Sequence, residues 1–311
     1  LAVRLWCGYG LRFVPDNHGD HRYSTGGVPL AGRVLGGWDM RKSGTIALYI
    51  FLSLVAVVMV GPFIWMVLTS FKFPDEVIRY PPTFWPRRPH LDNYRRIFQM
   101  MNMGQYFLNS LFVAAIATTT TLFFSALGGY TFAKFRFPGR EQIFMGIIGT
   151  MMVPFFVIMI PLYVMMVRWQ WVDSFKGLLA PGLMSAYGLF LMRQFMSGIP
   201  TDLIQASRID GCSEFGIFTR IILPLSKPAL SALGIFTFMW NWDSFLWPLV
   251  VVDSERCKTL PIALAMFTGQ YFTQYELVMA ASTIAVLPVL LVFFAFQRQI
   301  IEGITLTGIK G

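Results

Sequence analysis

The chain has 311 residues, of which 55% are hydrophobic and only 13% are charged, and its mean hydropathy is +0.58. A soluble domain carries roughly 25% charged residues, and a soluble fold of this size has no interior large enough for so much apolar surface. This composition excludes an ordinary soluble protein and predicts a protein of the lipid bilayer. The net charge of +9 is spread between apolar blocks and forms no basic stripe, which argues against binding to nucleic acid.

Six stretches, taken in chain order, are candidates for membrane-spanning helices. A helix needs roughly 20 apolar residues to cross a hydrocarbon core about 30 Å thick. The candidates are residues 45–71, 97–133, 142–167, 177–192, 228–252 and 277–297, and Asp243 is the one charged residue within them. The sequence therefore predicts an all-α, polytopic membrane protein with six transmembrane helices and both termini on the same side.

These spans divide the chain into three parts. Residues 1–44 are a leader rich in Gly and Arg, without helical periodicity or the apolar core of a signal peptide. Residues 45–300 form the membrane domain, and residues 301–311 form a short tail. The leader begins at Leu1, and Met40 is followed by two basic residues, so one hypothesis is that the functional chain starts at Met40 and that residues 1–39 are not native.

Proline occurs in five of the six predicted spans, at Pro62, Pro154, Pro161, Pro181, Pro248 and Pro288. Proline interrupts the backbone hydrogen bonds of a helix, which lipid tolerates only where neighbouring helices or a cavity satisfy the freed groups. We therefore expect broken spans in a bundle that changes conformation.

The polar stretch between the fourth and fifth spans predicts two short amphipathic helices joined by a turn. Thr201 or Asp202 is expected to cap the first helix and Ser213 the second, because their side-chain oxygens accept from free N–H groups. Asp210-Gly211 is a turn signal, and Pro224 is expected to end the second helix. The predicted apolar faces are Leu203, Ala206 and Ile209 on the first helix and Phe215, Phe218 and Ile222 on the second. Such faces either pack beneath the chain's own bundle or dock a partner protein.

The same stretch resembles the EAA loop of ATP-binding-cassette importer permeases, whose usual form is E-A-A-x-x-x-D-G followed later by L-P. Gln205-Ala206-Ser207 stand at the E-A-A positions, Asp210-Gly211 at D-G and Leu223-Pro224 at L-P. The chain departs from the pattern at Gln205 and Ser207. In that family the loop is cytoplasmic and fits a groove on the ATPase subunit. The resemblance therefore implies a coupling loop at residues 200–225, in which these seven residues contact the ATPase. It also implies that both termini of the chain lie in the cytoplasm.

Further motifs are similar to those of the carbohydrate-importing branch, and in particular to its smaller maltose permease subunit. They are Trp242-Asp243-Ser244-Phe245-Leu246-Trp247-Pro248-Leu249, Thr259-Leu260-Pro261, Met279-Ala280-Ala281-Ser282 and the terminal Gly308-Ile309-Lys310-Gly311. The resemblance implies a plasma-membrane permease subunit that forms half of a path for a di- or oligosaccharide or a related solute. It implies three partners: a second permease subunit in a heterodimer, an ATPase dimer and an extracytoplasmic solute-binding protein. The chain has no G-x-x-x-x-G-K-[ST] loop, so ATP is expected on the partner.

Asp243 is the second candidate site. A charge near the bilayer centre costs about 2.5–3.5 kcal/mol, so it should face the bundle interior or water. Asn241, Trp242, Asp243 and Ser244 are therefore candidates for lining a sugar path, with Trp242 or Trp247 stacking on a pyranose ring. The alternative for these residues is a polar cluster that packs helices together, with tryptophans at the membrane interface.

Two other functions are alternatives to the importer. An ion-coupled secondary transporter could use Asp243, although that class usually places several ionisable residues at mid-membrane. An intramembrane enzyme needs an acid–base or metal set, but His18, His21 and His90 fall outside the spans. Cys7, Cys212 and Cys257 have no metal-ligand spacing. No catalytic residue, metal or cofactor of the chain itself is therefore predicted.

Overall fold

The computed structural model of the protein describes residues 42–267 and 273–308, with side chains described for 44–267 and 273–297. Most of the predicted leader, including Met40, and the end of the predicted tail lie outside these ranges. The α-helices are α1 (Lys42–Ser70), α2 (Pro74–Val77), α3 (Asp92–Met100), α4 (Met103–Lys134), α5 (Arg140–Thr150), α6 (Phe155–Arg168), α7 (Phe175–Leu179), α8 (Ala186–Ser197), α9 (Thr201–Ile209), α10 (Glu214–Ile217), α11 (Leu223–Leu225), α12 (Lys227–Trp242), α13 (Leu246–Val251), α14 (Leu260–Met266) and α15 (Tyr275–Gly308). A 3₁₀ turn follows α7 at Ala180–Gly182, and a π-helical segment joins α10 to α11 at Phe218–Ile222.

The described helices agree with a protein that crosses a membrane several times. Three of them are long and apolar enough to span alone, at Gly44–Ser70, Met103–Lys134 and Tyr275–Gln297. Three bent helix pairs bring the number to six if each pair counts as one span. The third of these pairs joins Glu214–Leu225 to Lys227–Trp242, so its bounds differ from those of the predicted fifth span at 228–252. The chain divides into two compact units between Val60 and Gly61, and both candidate sites lie in the second.

The predicted breaks are confirmed in three spans and wrong in two. The third span bends by 96° between α5 and α6, and the fourth bends by 42° before α8. The fifth span, predicted at 228–252, stops at Trp242 and resumes at Leu246. By contrast, α1 and α15 continue without interruption through Pro62 and Pro288. A single proline removes one backbone donor, and in a long apolar run the helix remains the only way to satisfy the other groups.

Helix α4 forms the centre of the second unit, where it packs against α8 and α12, while α12 also packs against α15. The α4–α8 contact depends on small residues. A Cβ atom on Gly129 would lie 2.6 Å from Met192 Cβ and 2.9 Å from the Arg193 backbone nitrogen. A Cβ on Gly188 would lie 2.3 Å from Ser125 Oγ. The two backbones therefore approach more closely than any larger residue would allow.

Candidate coupling site and substrate path

The predicted helical hairpin is confirmed. Helix α9 forms its first arm, and the continuous segment Glu214–Leu225 forms its second arm. Gly211 joins the arms in the left-handed conformation, with φ of +80°. After Ser226 the chain bends by 77° into α12. The hairpin is thus an extension of the bundle, attached at α8 on one side and α12 on the other.

The ends of the two arms differ in part from prediction. Ser213 caps the second arm as predicted, since its Oγ accepts from the Gly216 N–H at 3.2 Å. The caps predicted at Thr201 or Asp202 are wrong, because Pro200 occupies the cap position and α9 already begins at Thr201. The stop predicted at Pro224 is confirmed to within one residue, since the helix ends at Leu225 and the chain bends after Ser226. The wider turn at Phe218–Ile222 comes just before this proline.

The two sides of the hairpin have different environments. Of the apolar face predicted on α9, Ala206 is exposed, Leu203 is 44% exposed and Ile209 is 87% exposed. The buried side of α9 is instead formed by Ile204 and Ser207. On the second arm, Phe218 and Ile222 are buried together with Ile217, whereas Phe215 is 68% exposed. One side of the hairpin therefore packs on the bundle, as the first alternative predicts. The other side exposes apolar residues, and docking of a partner there stays a prediction.

The buried side joins the hairpin to three membrane helices. Ile204, Ile217, Phe218 and Ile222 belong to one core cluster, whose other members come from α4 (Ala126, Tyr130), α8 (Met192, Met196), the α8–α9 connection (Ile199) and α12 (Ala229, Leu233). Residues packed this closely do not shift independently, because interiors have the density of organic crystals. Force applied to the hairpin is therefore passed to α4, α8 and α12 together.

A polar contact that no sequence pattern predicted ties the two arms to each other and to α4. The Arg208 guanidinium donates to Glu214 Oε1 at 2.6 Å, and Tyr130 Oη donates to Glu214 Oε2 at 3.3 Å. The hydrogen bond from Arg208 lowers the pKa of the Glu214 carboxyl. Residues six positions apart across a turn have no characteristic helical spacing, which is why the pair carries no signal in the sequence.

The predicted coupling residues are divided between the two sides of the hairpin. Gln205, Asp210, Gly211 and Pro224 are exposed together with Ala206, and Leu223 is half-buried. Ser207 is buried, and its hydroxyl donates to the Leu203 carbonyl at 2.7 Å, so it is used within α9. Most of the predicted coupling set thus faces outward together with the exposed apolar residues.

The four candidate path residues lie where α12 ends. Asn241 is half-buried and its amide donates to the Thr237 carbonyl at 2.8 Å, while Ser244 is half-buried in the break before α13. Asp243 is exposed, and its carboxylate has no hydrogen bond or ion pair within the described side chains. The chain therefore presents a free carboxylate at a helix break, next to an amide and a hydroxyl.

The two tryptophans proposed to stack on a sugar are buried in this structure. Trp242 is 2% exposed, and its indole N–H donates to the Ala285 carbonyl of α15 at 3.1 Å. Trp247 is 6% exposed and donates to the Gly177 carbonyl at 3.0 Å. Both indoles are held between helices and present no free ring face, so the stacking role predicted for them is wrong in this conformation.

Two features are those of a multi-pass membrane permease. One is a set of apolar helices that are interrupted next to polar residues, and the other is an exposed helical hairpin that packs on the bundle. Residues 125–305 match the model of the family described as binding-protein-dependent transport system inner membrane component. The chain belongs to this family and is a permease subunit of an importer.

Relatives support this assignment over most of the chain, and a solved structure shares the fold. The arabinooligosaccharides transport system permease protein AraQ of Bacillus subtilis (strain 168) is 38% identical over 269 residues, covering 86% of this chain and 96% of the relative. The lactose transport system permease protein LacG of Rhizobium radiobacter is 36% identical over 263 residues, covering 85% and 96%. A chain in the crystal structure of a bacterial ABC transporter for the acidic polysaccharide alginate shares the fold, with a TM-score of 0.74, 22% identity and coverage of 83% and 96%. The comparisons do not favour the ion-coupled alternative.

Proposed function

We propose that this chain is one of two permease subunits of an ATP-driven importer and forms half of the translocation path for a di- or oligosaccharide. The names of the relatives, which refer to arabinooligosaccharides and lactose, support the substrate class. The absence of Lys and Arg from the predicted spans supports a neutral sugar over a phosphorylated one. In this proposal the chain is not an enzyme, because ATP is bound and hydrolysed on a separate ATPase dimer.

The observation that carries the proposal is the two-sided hairpin. Its buried side belongs to the same core as α4, α8 and α12, and its other side exposes Leu203, Ile209 and Phe215 around the turn at Gly211. Exposed apolar side chains on a hairpin whose other side is buried in the core support an interaction site. Closure of the ATPase dimer would push the hairpin and move the three helices as one body, which is what alternating access requires.

This proposal places the hairpin, and with it both termini, in the cytoplasm. A solute-binding protein would then deliver the sugar to the opposite side, and a second permease subunit would complete the path. A second solved structure supports the partner on the external side, because it is a bacterial alginate ABC transporter in complex with a periplasmic protein that has bound an alginate pentasaccharide.

Cys212 offers a direct test of both sidedness and docking. It is exposed next to Gly211, whereas Cys257 is buried, so only Cys212 should react in a Cys7→Ser background. We expect a membrane-impermeant maleimide to label Cys212 in inside-out vesicles and not in right-side-out vesicles. With the ATPase at about ten times its dissociation constant, labelling should slow about tenfold, because only the undocked fraction reacts.

A Cys212→Ser variant in the same background provides the control for the labelled position. Labelling from the outside would contradict the cytoplasmic placement. Equal labelling rates with and without an ATPase that co-purifies would mean that docking occurs elsewhere on the chain.

The Arg208–Glu214 pair gives a second test, by charge exchange. Glu214→Arg places two guanidinium groups together at the turn, and Arg208→Glu places two carboxylates there. Both partners are 45% exposed, and an exposed ion pair contributes little because water screens it. Each single variant should therefore lower sugar uptake by no more than about fivefold.

The double variant Arg208→Glu/Glu214→Arg restores opposite charges and should recover most of the uptake. Uptake and ATPase activity are to be measured on the same reconstituted complex. If the double variant is as poor as the worse single one, the pair does not act by holding the arms together.

A further inference from the structure

One exposed face of α12 carries three side chains that the functional site described above does not use together. Phe236, Trp240 and Asp243 stand at positions i, i+4 and i+7, so they lie on one side of the helix. Phe236 is 51% exposed and Trp240 is 81% exposed, and Asp243 at the end of the helix is exposed as well. We call these three residues the α12 stripe.

The depth of Asp243 indicates what this face looks into. Helix α12 begins at Lys227 and has 16 residues, which corresponds to a rise of about 24 Å from its first residue to its end. With Lys227 at one boundary of a hydrocarbon core of about 30 Å, Asp243 lies within the core, about 6 Å from the opposite boundary. A carboxylate without a protein partner at that depth does not face lipid, because ionisable residues within spans face the bundle interior or a water-filled cavity. Trp240, one turn before Asp243 on the same side, faces the same space.

The chemistry of the stripe is that of carbohydrate recognition. A pyranose ring has an apolar face of C–H groups that packs on an aromatic ring, and hydroxyl groups that donate to a carboxylate. Trp240 has an open ring face, and its indole N–H has no acceptor among the described side chains and backbone groups. Trp242 and Trp247 lack both features, since each is buried and its N–H is already bonded.

We propose that the α12 stripe is a carbohydrate subsite in the translocation path, with Trp240 as the stacking platform and Asp243 as the acceptor for sugar hydroxyls. Phe236 continues the apolar surface for about 10 Å along the helix toward its Lys227 end. Ligand sites combine such an apolar wall with a few polar groups that fix orientation. The inference rests on the proposed function, and it assigns a specific sugar contact to this subunit.

The test uses the complete importer in proteoliposomes, with lactose, maltose and arabinotriose as probes. Trp240→Ala should lower uptake of the transported sugar about tenfold, because the loss of one aromatic contact weakens binding by up to about that factor. Trp240→Phe keeps a ring and should retain at least about a third of the uptake. Asp243→Asn keeps the shape and should change the relative rates of the three sugars. In all three variants, co-purification of the ATPase and the second permease subunit should remain unchanged.

Phe294→Ala is the matched control, because Phe294 is a 63% exposed aromatic residue of α15 outside the α12 stripe. The subsite is wrong if Trp240→Ala transports like the wild type, or if it loses its partner subunits, since the stripe would then be a subunit interface. A wild-type complex that contains the ATPase but transports none of the three sugars overturns the subsite while leaving the coupling hairpin intact. A wild-type chain that purifies without an ATPase overturns the proposed function itself.

Discussion

Under the proposed function, replacing Gly211 by Val should uncouple the permease from the partner ATPase without disturbing the membrane helices. Gly211 has φ of +80°, and a Cβ atom there would meet no other atom within 4 Å, so the cost lies in the backbone and not in a clash. The left-handed conformation costs an ordinary L-residue about 1–2 kcal/mol, which corresponds to a factor of about 5–30 in the population that keeps the turn. Sugar uptake should fall by that factor while the amount of folded permease in the membrane stays constant.

Gly211→Asn provides the comparison that isolates the backbone. Asn has nearly the volume of Val but adopts the left-handed conformation far more readily, so it should retain much more uptake than Val. Gly198→Ala is the control for a glycine at the base of the same hairpin with an ordinary φ, and it should have little effect. Equal losses for Val and Asn would show that the exposed surface, and not the conformation of the turn, determines coupling.

Gly129→Ala should damage the fold itself, although it adds a single methyl group. Its Cβ would lie 2.6 Å from Met192 Cβ and 2.9 Å from a backbone nitrogen of α8, so α4 and α8 must separate. Overpacking of a tight contact costs about 1–3 kcal/mol, and this contact also carries the cluster beneath the hairpin. We expect a lower thermal midpoint in detergent and a smaller monodisperse fraction in size-exclusion chromatography.

Gly146→Ala is the matched control for this change. Gly146 also lies inside a helix, but nothing stands within 4 Å of its added Cβ. Alanine is favoured over glycine in a helix by about 0.8–1 kcal/mol, so this variant should be as stable as the wild type or slightly more stable. Similar losses at the two positions would mean that the α4–α8 approach is looser than the structure indicates.

The local features of the hairpin could be predicted because they depend on residues close together in the chain. The Asp210-Gly211 turn and the Ser213 cap follow from backbone chemistry that three or four residues define, and both are confirmed. Apolar run length likewise predicted the spans, since the thickness of the bilayer sets a minimum that any spanning helix must meet.

Other features depend on tertiary contacts that the chain does not reveal locally. Leu203, Ala206 and Ile209 share a face, but the core accepts Ile204 and Ser207 of α9 instead, because α4, α8 and α12 approach from that side. The same holds for Trp242, whose N–H is bonded to a carbonyl of α15 and not directed into a path. The contact of Tyr130 with Glu214 joins positions 84 residues apart, beyond the reach of any periodicity.

The π-helical segment Phe218–Ile222 has a consequence for how the hairpin can vary between related chains. It lies between the buried Ile217 and the bend at Ser226. The Leu223 backbone N–H donates a hydrogen bond to the Phe218 carbonyl across the wider turn. Inserting or deleting one residue here would rotate everything before it by about 100° relative to α12. Ile217 would then leave the core, and the exposed surface would point away from its partner. The length of this stretch therefore determines which side of the hairpin faces the core, in addition to the packing of its buried Phe218 and Ile222.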